Sequence, residues 1–333
     1  MKGSNEVTDI PGLSEVRRAL LEKYLDEKRS QSANTDDNTR EEVTTLPDGI
    51  VALQPHGYKQ PFFFLHGQWN GNAFYCFPIS QELGLEQPFY TLEPYKFDCL
   101  KVPSSFETIA ATHLKLLEAV QPEGPYLLGG WCNGALVAYE MARQLHARGK
   151  EIRLLVLMDP VTLVYPARVR FVRSLIRRFG SVMKLSQEKQ LELFLRIRHL
   201  YRYFENLKAH VCARFRRSKS SQPLENVECD DMGNPLPELR SMIPTMKELQ
   251  GDYPGIFDWI AMGYKRDLYP GKITIFWSQH APFRAGWRKV LEVNDVEIHS
   301  LPGTHITCRT EYLNVLTEHL NDCLGKAQPT QLS

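Results

Sequence analysis

The sequence predicts an α/β fold: a mostly parallel central sheet flanked by helices. Three observations point there. From Ile50 onward, short apolar runs of strand length alternate with stretches of helical period. One run turns abruptly into a helix through Gly130-Trp131-Cys132-Asn133-Gly134. Residues from about 161 to 260 read as helical with no convincing strand, and strand-like runs then resume.

Residues 1–48 read as a separate segment. Leu13 to Lys28 suits a short amphipathic helix, with Leu13, Val16, Leu20, Leu21, Tyr24 and Leu25 on one side. Arg29 to Glu42 is polar and patternless, as expected of a linker. Two roles stand open for the helix: a frayed terminus, or a tail that docks a partner. The main domain is expected over 49–333. Pro61-Phe62-Phe63-Phe64-Leu65 reads as a buried strand ending at His66-Gly67, and Pro88 to Leu92 as a second. Ser105 to Val120 carries Ile109, Leu114, Leu116, Leu117 and Val120 at helical spacing. Tyr126 to Leu128 is a strand, followed by a helix that stops near Gly149. Ile152 to Met158 is the next strand and ends at Asp159-Pro160. After the helical stretch, which is expected to be a lid inserted between sheet strands, Lys272 to Trp277 and Val296 to Leu301 complete the sheet. Glu311 to Leu324 closes it as a helix.

Bulk properties narrow the function. The 333 residues are 43% hydrophobic, enough for a sizeable core. A formal net charge of +1 predicts no nucleic-acid partner. The seven cysteines (Cys76, Cys99, Cys132, Cys212, Cys229, Cys308 and Cys323) are scattered, with no CxxC pair. That usage fits reduced cytoplasmic thiols better than a disulfide framework or a zinc site. No apolar run follows Met1 to Glu6, so no signal peptide is expected, and Leu154 to Met158 is too short to span a membrane.

The chemistry concentrates at the glycine-flanked cysteine. Strand, sharp turn and helix form the context of a nucleophile elbow, in which the central residue adopts a strained backbone and its neighbours must be small. The stretch resembles the elbow of the α/β-hydrolase fold, with cysteine in place of serine. A thiolate nucleophile needs a base, and the base an orienting acid. In this fold they follow in the order nucleophile, acid, histidine, on loops beyond strand ends. Cys132, Asp159 and His305 meet that order. Asp159 has a plainer alternative as a helix cap after Pro160. The strand after Lys272 offers no carboxylate at its end, and Asp295 precedes its strand. His305 follows the last strand in Leu301-Pro302-Gly303-Thr304-His305, whereas His299 lies within it. The oxyanion donors expected are the amide of Asn133 and one from His66-Gly67-Gln68-Trp69, with Gln68 preferred to Trp69. His66 is expected to pack under this loop, and Cys308 to be a buried thiol.

From about Val51 to Leu324 the chain resembles the thioesterase domains that end nonribosomal peptide and polyketide synthases, and their free-standing type II relatives. The resemblance is carried by Gly124 through Cys132, Val137 to Leu145, Leu154 to Asp159, Tyr269 to Phe276 and the Pro302-Gly303-Thr304-His305 loop. It implies that Cys132 accepts an acyl or peptidyl chain from a carrier protein's phosphopantetheine thioester, with Asp159 and His305 completing the triad and no cofactor resident in the site. The chain is then released to water, or to an amine or hydroxyl acceptor. Two departures stand out: cysteine replaces the usual serine, and Gly134-Ala135 replaces the usual glycine pair. A thioester acyl-enzyme stays reactive toward amines and hydroxyls, so transfer or cyclisation is favoured over plain hydrolysis. Basic residues crowd Arg168 to Lys219, which reads either as a docking face for an acidic carrier protein or as a solvated helical surface. Polyhydroxyalkanoate synthases also use Gly-x-Cys-x-Gly, and a catalytically silent binding module is a third reading. Polymer formation from hydroxyacyl-CoA, or failure of Cys132 to take an acylating probe, would favour these.

Overall fold

A seven-stranded sheet organises the computed structural model, which describes residues 46–67, 73–97, 100–103, 105–217, 241–280 and 284–328. The helix and linker expected within residues 1–45 lie outside the described residues, as does Gln68. The strands are β1 (Ile50–Gln54), β2 (Phe62–Leu65), β3 (Phe89–Leu92), β4 (Tyr126–Trp131), β5 (Ile152–Met158), β6 (Ile273–Ser278) and β7 (Val296–Leu301), in the order β1-β3-β2-β4-β5-β6-β7. β1 runs antiparallel to β3; every other pairing is parallel.

The parallel strands are buried because helices cover both faces. On one face lie α1 (Phe77–Glu82) and α9 (Leu313–Ala327), packed on Phe62, Phe64, Leu127, Val156, Met158 and Phe276. On the other lie α2 (Phe106–Val120) and α3 (Asn133–Ala147), against Phe63, Leu65, Leu128, Leu155, Leu157 and Ile275. Successive residues of each strand thus feed alternate cores, which explains why all four residues Phe62 to Leu65 are buried.

Between β5 and β6 the described residues hold helices and no strand: α4 (Ala167–Val182), α5 (Gln187–Arg217), α6 (Met246–Gly251) and α7 (Tyr253–Ala261). Their inner side, including Ile176, Leu191, Leu195, Ile256 and Ile260, joins the same core as α2 and α3. A capping box between Thr245 and Glu248 starts α6.

Three elements are absent from the sequence reading. β1 is an edge strand, half-buried beyond Ile50 and antiparallel, so it lacks the full burial that marks the central strands. α1 and α8 (Arg288–Val293) span six residues each, too few for a helical period to emerge. The closing helix runs from Leu313 to Ala327, shifted from the expected Glu311 to Leu324.

Candidate active site

The strand order reverses between β2 and β4, and the crevice outside the carboxyl ends of such strands is where α/β folds build sites. Register brings the expected residues there. Trp131 pairs with Met158, and Met158 with Phe276, so Cys132 and Asp159 leave β4 and β5 side by side. Backbone bonds extend the ladder past the strands: Cys132 N–H donates to Met158 O at 2.9 Å and Asp159 N–H to Phe276 O at 2.8 Å.

Cys132 adopts φ 55° and ψ −119°, the strained turn of an elbow, and is buried. The turn closes only with small neighbours. A Cβ on Gly130 would lie 2.5 Å from Gly134 O, and one on Gly134 would lie 2.4 Å from Leu65 O. Asn133 opens α3 and is buried, with its amide at the positive end of the helix.

Asp159, also at positive φ (41°), is fully enclosed. The segment that follows it is non-helical as far as Pro166, so it caps no helix. Its Oδ1 accepts the Ser278 N–H at 2.8 Å, and its Oδ2 lies 3.2 Å from His305 Nδ1. His305 lies four residues beyond β7, and its Nε2 is 3.2 Å from the indole Nε1 of Trp131. An indole N–H only donates. His305 Nε2 is therefore the unprotonated nitrogen, and Nδ1 carries the hydrogen donated to Asp159. This is the tautomer in which a histidine offers a lone pair as base while an acid steadies it from behind.

Trp131, Ser278 and Arg309 are the residues of this site that sequence reasoning missed. The Arg309 guanidinium lies over the rings of Tyr75 and Trp131, with Cζ 5.8 Å and 5.6 Å from their centroids. Its buried Nε has no hydrogen-bond partner among the described residues. Burial holds its pKa below the usual arginine value, opposed by Cys76 and then Cys132. A cation placed here favours a thiolate. Burial, then the Arg309 charge, pushes His66 down to about 3, so it is a neutral packed residue, in line with expectation. Cys308 is buried, its Sγ 3.5 Å from His305 O, and burial reinforced by Asp159 pushes its thiol up to about 12.

Beside the elbow opens a small cleft. Tyr95, Phe97, Ile109, Val137 and Phe257 form its apolar walls, and Asn133, Gly134 and His66 line its end nearest Cys132. An apolar cleft ending at backbone donors suits an acyl chain whose carbonyl reaches the elbow.

Fold and elbow together define an α/β hydrolase. Within that class the chain belongs to the thioesterase domain family, whose profile matches residues 79–324. It is 33% identical over 161 residues to the non-reducing polyketide synthase crz7 of Cladonia metacorallifera, covering 47% of this chain and 8% of that one. It is 33% identical over 114 residues to the dimodular nonribosomal peptide synthase of Bacillus subtilis (strain 168), covering 34% of this chain and 5% of that one. The chain thus spans a small part of these relatives. Among solved structures, YbtT, a type II thioesterase from the yersiniabactin pathway, superimposes with a TM-score of 0.54 at 16% identity, covering 84% of this chain and 100% of that one. The NocB thioesterase domain in covalent complex with a fluorophosphonate nocardicin G analog gives 0.52 at 18% identity, covering 83% and 99%. Among the described residues, no helix is long and apolar enough to cross a membrane.

Proposed function

We propose that Cys132 takes an acyl or peptidyl chain from the phosphopantetheine thioester of a carrier protein and passes it to water, an amine or a hydroxyl. The observation that carries this reading is the chain of contacts Asp159–His305–Trp131 beside a strained elbow cysteine, with His305 held in the tautomer of a base. His305 Nε2 exchanges the Trp131 N–H for the Cys132 thiol and takes its proton as sulfur attacks the thioester carbonyl. The oxyanion collects the Asn133 amide, with Gln68 as the expected second donor. Collapse breaks the bond to the pantetheine sulfur, which leaves with the proton from His305. An acceptor then enters, His305 takes its proton, and Cys132 is released as a thiol. The apolar walls of the cleft favour a hydrophobic acyl portion.

The carrier is proposed to approach the helices between β5 and β6, within the lid expected over residues 161–260. Arg170, Arg177 and Arg178 on α4 are exposed, whereas Arg196, Arg198 and Arg202 are engaged by Glu192 and Asp252 within the lid. Among the described residues α4 thus offers a run of exposed arginines, and an acidic carrier suits it. Reversing the charge of Arg177 and Arg178 is expected to raise KM for carrier-bound substrate at low salt and leave turnover of a free pantetheine thioester unchanged. Equal KM values for the carrier-bound substrate would remove the lid from the docking role.

Intact-mass analysis after exposure to acyl-pantetheine thioesters tests the central reading. The expected result is a single acyl adduct on the unaltered chain and none on Cys132→Ala. Adding amine or hydroxyl acceptors should discharge the adduct into an amide or ester. Exclusive formation of free acid would overturn transfer and leave hydrolysis.

A further inference from the structure

At the β7 edge of the sheet, a second set of chemically capable side chains converges. Glu297 and His299 are two residues apart on β7 and share a face. Cys323 reaches them from α9 and is buried. Its Sγ lies 3.6 Å from His299 Nε2, Glu297 Oε1 lies 3.1 Å from the same nitrogen, and the three ligand atoms lie within 4.8 Å of one another. A tetrahedral zinc ion, with Zn–S of about 2.3 Å and Zn–N of about 2.1 Å, sets its sulfur and nitrogen ligands about 3.6 Å apart and its nitrogen and oxygen ligands about 3.3 Å apart. The observed spacings are close to both.

In the metal-free cluster a proton on His299 Nε2 goes to Glu297 Oε1, with Cys323 Sγ as a second and weaker acceptor. A cation at the common point replaces that shared proton and takes all three side chains as ligands.

The surroundings are arranged to suit it. His299 Nδ1 lies 3.4 Å from His319 Nδ1, so a metal on Nε2 leaves the Nδ1 hydrogen for His319, the outer partner that fixes a ligating ring. His319 is one helical turn before Cys323 on α9. Lys272 holds Glu297 Oε2 at 2.7 Å and leaves Oε1 toward the cluster. Lys326, 3.8 Å from Oε1, is largely exposed and free to swing into solvent as the metal enters.

We infer that Glu297, His299 and Cys323 form a zinc site, steadied by His319, that clips α9 to the sheet edge. The mix of sulfur, nitrogen and oxygen donors suits zinc rather than magnesium or calcium, with water as the fourth ligand. The thiol hydrogen of Cys323 passes to solvent as the Zn–S bond forms.

The test uses the full chain in a Cys132→Ala background, so that the elbow thiol contributes no ligand. Chelator-stripped protein is titrated with Zn²⁺ against a chromophoric competitor, and with Co²⁺ for its spectrum. One tight site per chain and a thiolate-to-cobalt charge-transfer band are expected. Cys323→Ser should abolish the band, and His319→Gln should weaken zinc about 10- to 100-fold. Zinc should raise the melting temperature of the parent and not of Cys323→Ser. If Cys323→Ser fails to fold, His319→Gln and His299→Gln carry the same reading. Zinc affinity indifferent to these substitutions, or a cobalt spectrum without the band, would overturn the site.

Discussion

Trp131 occupies a variable position of the elbow motif, yet it makes the direct contact with His305. Besides the hydrogen bond, its ring centroid sits 5.2 Å from that of the imidazole, tilted by 47°. The ring fills space, and the N–H selects the tautomer. Trp131→Phe separates these roles, because it keeps an aromatic ring and deletes the donor. A single neutral hydrogen bond contributes about 0.5–1.5 kcal/mol, and this one is given up when His305 Nε2 turns to the Cys132 thiol, so its removal should raise kcat for thioester turnover roughly 2- to 10-fold. A fall in kcat would show instead that the N–H is needed to keep the imidazole in its working tautomer. Cys132, Asp159 and His305 were legible in the sequence because each follows a strand-like run, and position after a strand is a property of the chain. The partnerships of Trp131, Ser278 and Arg309 were not, because they arise from lateral neighbours: Ser278 meets Asp159 across 119 residues and Trp131 meets His305 across 174.

Among the elements, α3 links the elbow to the helical segment behind it. Glu140 lies on the buried side of α3 and is wholly enclosed. Arg143 approaches both of its oxygens at 2.7 Å, Tyr264 O–H donates to Oε2 at 2.7 Å, and Gln144 donates to Oε1 at 2.8 Å. Burial and the Glu140 charge both hold Tyr264 protonated, which keeps it a donor. Tyr264 lies just beyond α7, so this cluster ties α3 to the chain that returns from the insertion to β6. Removing one partner of a buried ion pair strands the other, at a cost of about 3 kcal/mol or more. Replacing Arg143 leaves the wholly enclosed Glu140 carboxylate unpaired and should therefore lower the urea midpoint markedly; Glu140→Ala leaves only the partly exposed Arg143 and should cost less. Periodicity finds α3 but treats a glutamate as a surface residue, and only the packed structure shows the carboxylate facing inward. The same limit explains the missed β1, whose residues beyond Ile50 are only half-buried.

At the scale of the whole molecule, two buried histidines set the acid limb of stability. His66 is pushed down to about 3 from an ordinary 6.5, and burial also lowers His113. At His66 the unfolded chain therefore takes up a proton near pH 6.5 that the folded chain refuses until about 3. Stability should fall as pH drops through this window, and hydrophobic replacement of His66 should flatten the decline in melts recorded from pH 7 to 4. Sheet topology has a further consequence. Asp159 and His305 are 146 residues apart, and β6 and β7 must dock before they meet. No fragment ending before β7 contains the pair. Regain of activity during refolding should thus report late, non-local closure rather than early helix formation, and it should lag far-ultraviolet ellipticity. The arrangement proposed to make a base of His305 also makes it a clock for the last long-range contacts to form.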